Sequence, residues 1–197
     1  MRRRSKQKPI YAFIDSQNLN QSVQRLGWKM DWHKFRQFLK DQYGVTNAYM
    51  FIGYVPEFEA MYQQLHETGY LIVLKPTYDM TRPRPEDRST NNEDGKAEKN
   101  ADEEKKPTKG NIDADLVLWA MKELPHYSKA VIVSGDGDFY SLVEYLDEQK
   151  KLLKLLTPSM YYSNLYNRYE QYVERIDLHR KELAYWTKKN RPVDTKR

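Results

Sequence analysis

The chain contains no cysteine, which excludes disulfides and thiolate metal sites and leaves the redox compartment undecided. Long apolar runs are also missing. No stretch approaches the roughly 18 residues of a membrane-spanning helix, and the basic N-terminus is not followed by the apolar core of a signal peptide. A soluble, cytoplasmic protein with no membrane partner is the expectation. The four histidines, His33, His66, His126 and His179, show no pairing at metal-ligand spacing, which weighs against zinc. One segment lacks everything that builds a core. From Asp79 to Thr108 there is no Val, Ile, Leu or aromatic residue, against 16 charged residues and three prolines. This stretch reads as a disordered insert ahead of an ordered lid.

What remains suits one domain of ordinary size in a chain of 197 residues. The net charge is +5, unevenly spread: residues 1–9 carry five basic groups and no acidic one, and residues 179–197 carry seven basic against two acidic. A net-acidic body with basic arms suits a polyanionic partner such as nucleic acid. The organisation expected is a basic arm over 1–9, a domain over 10–158 interrupted by the insert at 79–108, and a tyrosine-rich, mostly helical, basic extension over 159–197. A homodimer is left open.

Apolar and β-branched runs predict strands at 10–15, 47–54, 70–75, 129–134 and 151–156. Between them lie helix patterns: 16–25, a stretch capped by Asp31 with Trp32, Phe35, Phe38 and Leu39 on its core face, one opened by Pro56 and ended before Gly69, one capped by Asn111, and one from Phe139 to Leu146. Strands alternating with helices argue for an α/β architecture around a mainly parallel five-stranded sheet. In such sheets ligands bind beyond the carboxyl ends of the strands, where the connections diverge.

That edge is where the carboxylates fall. Asp15 closes the first strand, and Asp136 and Asp138 follow the fourth in Ser134-Gly135-Asp136-Gly137-Asp138-Phe139. Asp113 sits in the first turn of the helix after the insert. Each has an innocent reading: a strand-end turn for Asp15, a helix-dipole contact for Asp113, an N-cap for Asp138. Together they form an all-oxygen donor set of the kind hard divalent cations take, sharing the rest of their shell with water and phosphate. Such an ion can activate water for in-line displacement at a phosphodiester. Asp115, two residues beyond Asp113, points roughly to the opposite side of its helix. Asn18 and Lys109 are candidates for holding a carboxylate or a phosphate.

The segments Phe13-Ile14-Asp15-Ser16-Gln17-Asn18-Leu19, Lys109-Gly110-Asn111-Ile112-Asp113-Ala114-Asp115-Leu116 and Val133-Ser134-Gly135-Asp136-Gly137-Asp138-Phe139 resemble, in order, those of an NYN domain, the LabA-like branch of the PIN-like nuclease superfamily. The resemblance covers roughly residues 8–158. It implies a three-layer α/β/α PIN-like fold and a metal-dependent nuclease, most often acting on RNA. It makes Asp15, Asp113, Asp136 and Asp138 the catalytic and metal-binding cluster, with Asn18 and Ser134 assisting and Lys109 meeting the substrate backbone. The expectation is a Mg²⁺- or Mn²⁺-dependent ribonuclease on single-stranded RNA, leaving a 5′-phosphate and a 3′-hydroxyl. Basic arms would give salt-dependent affinity, and Tyr161, Tyr162, Tyr166, Tyr169, Tyr172 and Tyr185 are candidate stacking surfaces. The rival is a catalytically silent nucleic-acid-binding or adaptor domain. A phosphotransferase with Asp15 as nucleophile is disfavoured, because Gln17 stands where a second acid is wanted.

Overall fold

The computed structural model describes residues 8–76 and 112–186. The arm before Lys8, the insert, Lys109 with the proposed cap Asn111, and the chain after Trp186 lie outside the described residues. Six strands form one sheet: β1 Ile10–Asp15, β2 Val45–Tyr54, β3 Tyr70–Pro76, β4 Lys129–Val133, β5 Leu152–Thr157 and β6 Val173–Arg175. They lie in the order β3-β2-β1-β4-β5-β6, and every neighbouring pair is parallel. The helices are α1 Ser16–Arg25, α2 Trp32–Tyr43, α3 Glu59–Glu67, α4 Asp113–Lys122, α5 Tyr140–Glu148 and the short α6 Arg180–Leu183.

Central strands are apolar throughout because both faces of the sheet are covered. Ala12, Ile14, Met50, Val131 and Val133 pack on one side with Leu19 and Val23 of α1, Phe35 and Leu39 of α2 and Leu65 of α3. Tyr11, Phe13, Phe51, Ile132 and Leu155 pack on the other with Leu116 and Ala120 of α4 and Leu142 and Val143 of α5. The result is the expected three-layer α/β/α PIN-like fold. Local signals set the element ends. Asp31 accepts the Lys34 N–H at 3.1 Å to start α2, and Gly44 stops it at φ 67, a left-handed conformation glycine adopts without a Cβ penalty.

One expectation is revised. The sheet has six strands rather than five, and the tail, whose described part is mainly helical turns, also supplies the sixth. It runs as a 3₁₀ segment at Asn164–Tyr172, then β6, a second 3₁₀ turn at Ile176–His179, and α6. Val173-Glu174-Arg175 is too short and polar to announce itself. It becomes a strand because the open edge of β5 offers unpaired backbone groups, with Leu155, Leu156 and Thr157 opposite Val173, Glu174 and Arg175. Tyr166, Tyr169, Ile176 and Leu183 from this tail are buried in the core. Among the described residues no helix is long and apolar enough to cross a membrane.

Candidate functional site

From β1 the chain moves outward through β2 to β3, and from β4 it moves the other way through β5 to β6. The adjacent carboxyl ends of β1 and β4 are therefore the switch point of the sheet, where the helices that follow leave a crevice. Asp15 ends β1 there, and Ser134-Gly135-Asp136 follows β4.

The two ends are tied by hydrogen bonds. Asp15 is 4 % exposed. As the N-cap of α1, it accepts the Asn18 N–H at 3.0 Å through Oδ1 and the Ser134 hydroxyl at 3.1 Å through Oδ2. Ser134 Oγ in turn accepts the Asp136 N–H at 3.1 Å, and Asn18 Oδ1 accepts the Gly135 N–H at 3.0 Å. Asn18 and Ser134 thus hold the β1 and β4 loops together. Thr157 ends β5 beyond them; its fully buried hydroxyl has no hydrogen-bond partner among the described residues, so this end of the sheet keeps spare capacity for a water or ligand.

Burial pushes the Asp15 carboxyl up to about 6; its two hydrogen bonds oppose the shift, and the charges of Asp113 and Asp136 add to it. Asp113, in the first turn of α4, is raised by burial and then by Asp136 and Asp138, with Lys75 pulling the other way. Asp15, Asp113, Asp136 and Asp138 therefore feel one another across this edge, the arrangement in which a cation relieves like-charge repulsion. Among the described residues, no group of three His, Asp or Glu side chains is arranged to hold a metal ion by itself.

Three placements differ in detail from the sequence reading. Asp136, not Asp138, caps the turn: its Oδ1 accepts the Asp138 N–H at 3.1 Å, and Gly137–Phe139 form a 3₁₀ turn leading into α5. The helical turn therefore starts two residues sooner than an N-cap at Asp138 requires. The helix after the insert has Ile112 as its N-cap, with no side-chain cap bond. Asp115 lies 2.9 Å from Lys75 Nζ at the end of β3, an ion pair at the flank of the site. Lys109 lies outside the described residues.

Sequence reasoning missed the strap beneath the acids. After β5, Ser163 N–H donates to Gly135 O at 3.0 Å, and the buried Tyr166 hydroxyl donates to the backbone carbonyl of Asp136. Burial, and then the charges of Asp136, Asp138 and Asp15, raise the Tyr166 phenol, so it stays a donor. A tyrosine-rich composition was the one available signal, and it carried no direction. The strap leaves no room at Gly137: a Cβ there would lie 2.5 Å from Ser163 Oγ, 3.1 Å from Ser163 Cβ and 3.2 Å from Leu165 Cδ1. Gly137→Val is expected to cost about 2 kcal/mol by overpacking, measured by thermal unfolding; an unchanged midpoint contradicts the close approach.

The NYN domain profile matches residues 9–174, which takes in β6 as well as the acid edge. The protein named Low amplitude and bright protein LabA, from Synechococcus elongatus, is 23% identical over 174 residues, covering 86% of this chain and 84% of its own length. A crystal structure of a Vibrio parahaemolyticus protein of unknown function superposes with a TM-score of 0.66 at 21% identity, covering 93% of this chain and all of that one. At that identity the likeness concerns the fold. With most of its length matched by the family profile and the carboxylates gathered at the sheet's switch point, the chain belongs to the NYN domain family.

Proposed function

We propose that this protein is a Mg²⁺- or Mn²⁺-dependent ribonuclease that hydrolyses phosphodiester bonds of single-stranded RNA at the β1/β4 edge. The observation that carries the reading is Asp15: a carboxylate almost fully buried, raised to about 6, with Asp113 and Asp136 adding to the shift. Burying such a group costs free energy that packing alone does not require, and a divalent cation offsets it. The donor chemistry fits, being oxygen only with no imidazole or thiolate. That no closed three-ligand cage occurs among the described residues is no obstacle, because Mg²⁺ commonly takes one or two protein carboxylates and completes its shell with water and substrate phosphate.

In this reading Asp15 and Asp136 hold the ion directly, and Asp113 and Asp138 directly or through water. When bound, the cation supplies Lewis acidity and lowers the pKa of water beside the phosphodiester. Ser134 and Asn18 keep the two acid-bearing loops in register. Tyr166 fixes the backbone of Asp136 from below. The basic arm over 1–9 and the basic residues of 179–197 draw the polyanion in, an attraction that falls with added salt. The setting proposed is the cytoplasm.

The deciding experiment compares cleavage of end-labelled single-stranded RNA by wild type and Asp136→Asn, with Mg²⁺, with Mn²⁺ and with EDTA. Metal-dependent cleavage that falls at least about a hundredfold in the variant is expected, the loss of roughly 2.7 kcal/mol of transition-state stabilisation. Equal cleavage by both proteins defeats the assignment. The rival reading is a catalytically silent nucleic-acid-binding or adaptor domain that keeps the fold. It calls for RNA binding indifferent to metal and to Asp15→Asn, with no cleavage.

A further inference from the structure

The structure sorts the tail tyrosines. Tyr166 and Tyr169 are buried in the core, and Tyr162 and Tyr172 pack partly against it. Tyr185 is exposed, but its N–H donates to Lys29 O, beside the bridge between Met30 and Ala184. That leaves Tyr161, whose side chain is 80 % exposed, flanked by exposed Met160 and Leu165.

Tyr161 does not hang on a loose loop. Its N–H donates to the buried Ser159 hydroxyl at 3.1 Å. Two residues later Ser163 is bonded to Gly135 O. Pro158 and Tyr162 press on the Gly135 backbone, where an added Cβ would meet each at 3.3 Å. The Tyr161 Cα is thus at most about 8 Å from that of Ser163, which touches the loop carrying Asp136. The backbone on either side of Tyr161 is bonded, and it holds out a large flat ring with almost no protein covering it, two residues from the contact with the loop that carries Asp136. Folding gains little from a side chain left this exposed.

We propose that Tyr161 is a base-stacking subsite: the ring on which a nucleobase of single-stranded nucleic acid rests while its backbone crosses the acid edge. This deepens the proposed function and rests on it. The ring offers a π-face that any base can meet, so the subsite selects for unpaired strands rather than for sequence. In a duplex the base faces are already stacked on one another, so the ring has nothing to engage.

The experiment uses the full chain with Ca²⁺ in place of Mg²⁺ and a single-stranded octanucleotide carrying 2-aminopurine, whose fluorescence falls on stacking. A fluorescein-labelled strand gives affinity, and a blunt duplex serves as control. Tyr161→Ala is expected to weaken single-strand binding about 5- to 150-fold, the range for loss of one base–aromatic stack. It should abolish the 2-aminopurine quenching and leave duplex binding and the unfolding midpoint unchanged. Tyr161→Phe and Tyr161→Trp should keep affinity within about threefold, because the ring and not the hydroxyl is used. A Tyr161→Ala variant that binds the strand as wild type does overturns the subsite alone, and is the result expected if the ring serves a protein partner instead. Equal loss on strand and duplex also overturns it. Wild type that binds no strand at all overturns both this and the ribonuclease reading, which the Asp136→Asn comparison tests separately.

Discussion

Asp15→Asn is expected to make the metal-free protein more stable at pH 7.5 while removing its proposed metal-dependent cleavage. The Asp15 carboxyl is held at about 6, above its ordinary 3.8. Between those values the folded chain keeps a proton that the unfolded chain has released, so stability falls as pH rises through this window. The penalty is complete once Asp15 is ionised in both states. Above pH 7 it is worth about 3 kcal/mol. Asparagine carries no charge and can still accept the Asn18 N–H through its amide oxygen, but it cannot accept the Ser134 hydroxyl on its NH₂ side. A net gain of about 2 kcal/mol follows, raising the unfolding midpoint by roughly 4–8 °C in a chain of this size. Calorimetry in EDTA at pH 7.5 and at pH 4 checks it: the gain should appear at the first and vanish at the second. A variant less stable than wild type at pH 7.5 contradicts the idea that this position trades stability for function.

The second large effect concerns the end of the strand system. Cutting the chain after Pro158, where the strand–helix alternation and the family motifs stop, is expected to leave a protein that does not fold cooperatively. The cut removes Tyr166, Tyr169, Ile176 and Leu183, all at most 2 % exposed. Burial of each such side chain stabilises by about 1.5–3 kcal/mol, and four of them approach the whole stability of an ordinary domain. It also strips β6 from β5 and the Ser163 and Tyr166 bonds from the acid loop. Near-UV circular dichroism and thermal unfolding of residues 1–158 provide the test. A sharp transition within a few degrees of the full chain shows that the tail is an appendage after all.

The central fold was legible because its strands are buried on both faces. Ile10–Asp15 and Lys129–Val133 are apolar runs ended by an acid or a Ser-Gly, and their ends were read to within a residue. Helix α2 announced itself through the Asp31 cap and the helical spacing of Trp32, Phe35, Phe38 and Leu39. Strand β6 was illegible for the opposite reason: its three residues alternate nothing, and their strand conformation comes from the neighbour they pair with. The tyrosines of the tail misled in a related way. An aromatic that can sit in a core or on a surface carries no period of its own: within nine residues Tyr161 is exposed while Tyr166 and Tyr169 are buried.

Within the candidate site, the placement of the acids was readable and their hydrogen-bond roles were not. Asp15 and Asp136 could be placed at strand ends from spacing. Which carboxylate caps the turn depended on where the chain bends, and the 3₁₀ turn at Gly137–Phe139 puts that role on Asp136. Ser134 and Asn18 were noticed beside the acids, yet their task of locking two loops together needed both loops in view. Tyr166 reaches Asp136 across thirty residues of sequence, a distance no local pattern spans.

That last contact bears on when the proposed enzyme becomes dangerous. A nuclease made on a ribosome emerges beside the very polymer it is proposed to cut. Here the acids leave the ribosome before the strap that holds them, since Ser163 and Tyr166 follow Asp136 in the chain and synthesis runs from the N-terminus. A nascent or prematurely ended chain carries every carboxylate but not the support that fixes their loop. The loop that carries Asp136 can gain its Ser163 and Tyr166 bonds only after the carboxylates themselves have been made.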